Sequence, residues 1–94
     1  MPASLDLNSN IAFSKASKLY DDGHYEVAFA QFLALAKKGD ASAMVNVALM
    51  YGAGQGTATN FEESIRWDLR AVEAGEVTAM LNLAVSYRES GQID

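Results

Sequence analysis

Apolar residues recur along this chain at helical spacing. Ala43, Met44, Val47, Ala48 and Tyr51 stand three and four residues apart, which places them on one face of a helix, with Ser42, Asn46 and Gly52 between and beyond them. β-Branched residues are scattered and form no alternating run of strand length, so no strand is predicted. Glycines punctuate the amphipathic stretches at 23, 39, 52, 54, 56, 75 and 91, and the single proline lies at position 2. The pattern predicts five helices near residues 9–21, 24–38, 41–52, 60–74 and 77–89, an all-α chain. Asp40 and Asn60 are suited to cap helix starts, and Gly39 and Gly75 to end helices in a left-handed conformation.

The chain also repeats itself. The run from Ala43 to Leu49 (AMVNVAL) returns as Ala79 to Val85 (AMLNLAV), and Tyr51 returns as Tyr87, all shifted by 36 residues. The same shift maps Gly39 onto Gly75, Tyr25 onto Phe61 and Glu26 onto Glu62, so the repeating unit spans a pair of helices. A shorter, more degenerate copy places Ala12, Phe13, Ala16 and Tyr20 where Ala43, Met44, Val47 and Tyr51 stand. Its missing length falls in the turn, where Asp21 to His24 replaces the longer Gly52 to Asn60 segment. The expectation is an α/α superhelix (solenoid) of about two and a half helix-turn-helix repeats. Residues 1–8 form a flexible N-terminus, and the repeats cover about 9–39, 40–75 and an incomplete 76–94.

The segment Ala43 to Gly75 resembles the Sel-one-like repeat, a relative of the tetratricopeptide repeat, through Ala43, Ala48, Tyr51, the Gly54-Gln55-Gly56 turn, Trp67, Ala71 and Gly75. Thr57, Ser64, Asp68 and Asn60 depart from the family pattern, and Ser64 and Asp68 suggest looser packing at that hairpin. The resemblance implies that the first, third and fifth helices line an inner surface used to bind proteins. Small residues at Ala48 and Ala84 would let helices approach closely, and Tyr20, Tyr51 and Tyr87 would act as spacers at the helix ends.

Composition narrows the functional classes. Half of the 94 residues are hydrophobic, enough for a packed domain, and no cysteine is present, which removes disulfides, thiolate metal sites and a thiol nucleophile. The first ten residues lack the basic start and apolar run of a secretory signal, and no segment has membrane-spanning character, so a cytoplasmic protein is expected. A net charge of −5 with seven lysines and arginines argues against nucleic acid as partner and favours a basic one, a basic toxin among them.

The candidate chemistry is thin. Gly52 to Gly56 lacks the preceding strand and the Lys-Ser/Thr pair of a phosphate loop. His24 beside Asp21 and Asp22 does not converge as a tetrahedral metal site, and Glu62 and Glu63 suit a helix start. No catalytic residue, metal or cofactor is expected.

Partner binding is expected instead on the inner face, through Ser42, Val45, Asn46 and Leu49, their counterparts Leu81, Asn82 and Val85, and the cations Lys15, Lys18 and Arg88. That set describes a groove for an apolar segment with an acidic flank. Met80, Leu83 and Tyr87, left without a following helix, form a second candidate interface, for a homodimer or for further repeats if the chain is an inactive fragment of a longer array.

Overall fold

The computed structural model describes residues 7–91. Five helices follow one another: α1 (Leu7–Asp21), α2 (Tyr25–Lys37), α3 (Ala41–Ala53), α4 (Phe61–Glu73) and α5 (Thr78–Glu89). The expected boundaries hold to within two residues. α1 starts earlier than expected and takes in positions 7 and 8, while positions 1–6 of the predicted flexible N-terminus lie outside the described residues.

Local chemistry sets the edges. The Asp40 carboxylate accepts from the Ala43 amide at 3.0 Å and the Asn60 side chain from the Glu63 amide at 3.1 Å, each satisfying one otherwise orphaned donor of a first turn. Gly39 and Gly75 both adopt positive φ, as the predicted helix ends require.

Each helix packs against its successor in the chain, and α3 also touches α5. The contact layer rests on small residues: Ala16, Ala28, Ala36, Ala43, Ala48, Ala71 and Ala79 are wholly buried, while Phe32, Leu35, Met44, Met50 and Trp67 fill the volume between them. Edge-to-face aromatic pairs tie successive helices, Phe13 to Phe32 at 5.3 Å between α1 and α2, and Phe29 to Tyr51 at 5.1 Å between α2 and α3. The result is a slab of 43 × 31 × 16 Å. Its short dimension is that of about two packed helix layers, which lie some 8–10 Å apart axis to axis. Among the described residues no helix is long and apolar enough to cross a membrane.

The long turn between α3 and α4 does more than absorb length. Gly54 closes α3 in the left-handed conformation, and Gln55 accepts a hydrogen bond from the Tyr20 hydroxyl at 2.8 Å. Gly56, at φ +76°, lies so close to α2 that a Cβ there would collide with the Tyr25 carbonyl. The turn thus clasps the first hairpin onto the second. Gly56→Ala is expected to lower stability by about 2–4 kcal/mol, because strain and collision add, whereas Gly39→Ala, with open space around its Cβ position, should lose only about 1–2 kcal/mol. Urea unfolding of the two variants separates these outcomes, and equal losses would show that the clasp contributes nothing beyond backbone strain.

Candidate functional site: an apolar groove between the third and fifth helices

Small side chains on three helices create a depression. Ser64, one turn into α4, donates its hydroxyl to the Ala48 carbonyl of α3 at 2.8 Å and lies 2.8 Å from the Ser86 hydroxyl of α5. A Cβ on Gly52 would sit 3.4 Å from the Ser64 Oγ, in ordinary contact, so α3 and α4 lie close together here. Ala48, Gly52, Ser64 and Ser86 thereby contribute to the lining of a groove of about 370 Å³, with Leu49, Ala53, Phe61, Asn82, Val85 and Glu89 completing it. Leu49 and Val85 are both exposed and put apolar surface at the groove's rim. Neither buried serine is bonded to an imidazole or carboxylate, and the hydroxyls serve to join helices. The hairpin expected to be loose at Ser64 is closed by these bonds.

Of the residues expected on the inner face, Leu49, Asn82 and Val85 come together in the groove. Val45 and Asn46 are half-buried on α3 and Ser42 is exposed at its start, where its hydroxyl is 3.4 Å from the Glu76 carboxylate, and none of the three lines the depression. Leu81 stands outside it as well, 74% exposed on the outward side of α5. The expected cationic flank is elsewhere too: Lys15 and Lys18 are exposed on α1, Lys18 paired with Asp22 at 3.4 Å, and Arg88 is not among the lining residues. The charged residue that lines the groove is Glu89. It follows Val85 by one helical turn, a spacing visible in the sequence. Ser86 carried a signal as well, since the 36-residue shift sets a serine where the other copy has the buried Met50.

Met80 is largely exposed while Leu83 and Tyr87 are half-buried, and Ala84, expected at a close helix contact, is exposed. Tyr20, Tyr51 and Tyr87 are all half-buried. Burial together with the nearby Glu63 carboxylate raises the Tyr51 phenol above its ordinary pKa, keeping it neutral. His24 is exposed at the start of α2, and among the described residues no group of three or more His, Cys, Asp or Glu side chains could hold a metal ion. No family model, curated protein or solved structure matches this chain.

Beside the groove floor lies an unsatisfied carboxyl group. Asp68 falls one turn after Ser64 on α4, is fully buried, and neither of its oxygens has a hydrogen-bond partner. The arginines of the same helix turn elsewhere, Arg66 to Glu63 at 3.0 Å and Arg70 over the Trp67 ring at 4.5 Å. Burial therefore pushes the Asp68 carboxyl up to about 7, and the folded chain favours its neutral form. Because the folded-state value exceeds the ordinary one of 3.8, this group's full contribution to stability is present below about pH 4 and is lost as pH rises through 7. The protein is expected to be about 2–3 kcal/mol more stable at pH 5 than at pH 8, and Asp68→Asn should flatten that dependence. Urea midpoints across this range test it; a wild-type profile as flat as the variant's would mean that Asp68 stays charged and hydrated.

Proposed function

We propose that this chain is a protein-interaction module of the Sel-one-like, tetratricopeptide-like kind, which takes an apolar segment of another protein into the groove between α3 and α5. The groove itself carries this reading: an open apolar channel with a floor of small residues and a rim of Leu49 and Val85. Apolar channels between helices that repeat one another accept helical or extended segments through a few anchoring side chains. The 36-residue repeat relating α3 to α5, the two-layer thickness of the slab and the clasp between hairpins all support a superhelical repeat.

The partner chemistry differs in one respect from that expected on an inner face flanked by lysines. Glu89 lines the channel and the chain carries a net charge of −5, which favours an apolar anchor with a basic neighbour. Asn82 adds an amide that can both donate to and accept from an extended backbone.

A peptide-display library panned against the protein tests this reading. Enriched peptides are expected to carry a large apolar residue near a Lys or Arg, and Leu49→Glu or the channel-filling Ala53→Trp should weaken them at least about tenfold, equivalent to about 1.4 kcal/mol. Peptides that bind both variants as tightly as the parent would remove the groove as the binding site.

A further inference from the structure

α5 is apolar along one broad side, while Thr78, Asn82, Ser86 and Glu89 gather on the other. Its inner side, Ala79 and Ser86, is buried against the rest of the chain, and Asn82, Val85 and Glu89 turn to the groove. The remaining arc carries Val77, Met80, Leu81 and Ala84, all exposed, and at about 100° per residue these side chains span roughly a third of the circumference. The repeat shows how unusual this is. Met44 and Ala48, which stand in α3 where Met80 and Ala84 stand in α5, are 5% and 0% exposed, whereas Met80 is 58% exposed.

On α3 the turn around Ala48 is met by α4 through the Ser64 contact. The residue of α5 equivalent to Gly52 is Arg88, so a cation stands where α3 carries no side chain. The outer face of α5 therefore ends on a cation near the C-terminus of the helix, which the matching face of α3 lacks. Arg88 forms no ion pair among the described residues.

We infer that this face pairs with the same face of a second copy, α5 against α5 in antiparallel orientation about a two-fold axis. Aligning the two helices so that Ala84 of each copy lies opposite Leu81 of the other sets a small residue against a large one at the centre. The same register carries Arg88 to the far end of the opposing helix, against Val77 and beside Glu76, whose carboxylate is held only by 3.4 Å contacts to Ser42 and Thr78. Two such cation–carboxylate contacts form per dimer. A parallel pairing would instead bring the two Arg88 side chains together, and like charges at an interface oppose association. This surface is separate from the proposed groove except at its edge, Val85, so either reading can fail without the other.

Sedimentation equilibrium of the full chain from about 10 μM to about 1 mM, with circular dichroism to verify folding, tests the pairing. The expected result is a rise from the 10.1 kDa monomer to twice that mass. Leu81→Glu and Ala84→Glu, both at exposed positions, should each raise the dissociation constant at least tenfold. Arg88→Glu should weaken pairing several-fold, and Arg88→Glu combined with Glu76→Lys, which restores the parental net charge, should recover it. A monomer at about 1 mM, or a dimer indifferent to Leu81→Glu and Ala84→Glu, overturns the proposal. A dimer that ignores the charge exchange overturns the antiparallel register, and mass that grows without limit overturns the two-fold.

Discussion

The structure turns on the Ser64 hydroxyl. It lies where α3, α4 and α5 meet, donating its proton to the Ala48 carbonyl and so accepting from the Ser86 hydroxyl. A buried hydroxyl without partners would cost about 1–3 kcal/mol, so the pair is stable only because each satisfies the other. Larger apolar residues at these positions would fill the space between α3 and α5. Specificity of packing and the existence of the groove therefore have one origin: small polar residues, closely approached, where an ordinary core would place leucine.

The same economy of volume explains how one sequence motif serves two environments. The run AMVNVAL in α3 is enclosed by α2, α4 and α5, while AMLNLAV in α5 is packed by α4 and by part of α3. Ala43 and Ala79, at the same position, are both wholly buried, which fixes how the two helices seat; the copies diverge on the far side. At that side Gly52 gives way to Arg88, and on the inner side Met50 gives way to the smaller Ser86, so the second copy sits in a different setting from the first.

Local signals were legible in the sequence because they act over a few residues. Helix edges followed from Asp40, Asn60, Gly39 and Gly75, and the buried face of α3 from spacing alone. What spacing could not supply was the path of the chain between helices. Gly56 reads as an ordinary turn residue until the turn is seen pressed on the Tyr25 carbonyl, and Gln55 has no sequence signal linking it to Tyr20. The groove was half legible: Leu49, Asn82 and Val85 follow from helical geometry, but Leu81, one turn before Val85 and so on nearly the same side, does not line it, and spacing alone does not draw that edge. Lys15 and Lys18 were assigned to the same surface through a degenerate first repeat, and that offset carried no information about how α1 sits against α3.

α5 carries the two proposed surfaces on adjoining arcs, and Val85 lies at their boundary. In the proposed dimer the second copy approaches along Leu81 and Ala84, next to the wall that Val85 gives the groove. Occupation of the groove and pairing of α5 then act on one helix, whose contacts with the rest of the chain come from α4 and part of α3. Anything that steadies α5 against that support favours both events, and linkage makes the effect reciprocal: a ligand that tightens pairing must itself bind more tightly to the pair. The buried Asp68 carboxyl lies on the supporting helix, one turn from the Ser64–Ser86 contact. Its ionisation would introduce an unpaired charge into the helix that packs against α5, so the proposed groove and the proposed pairing face would share that support.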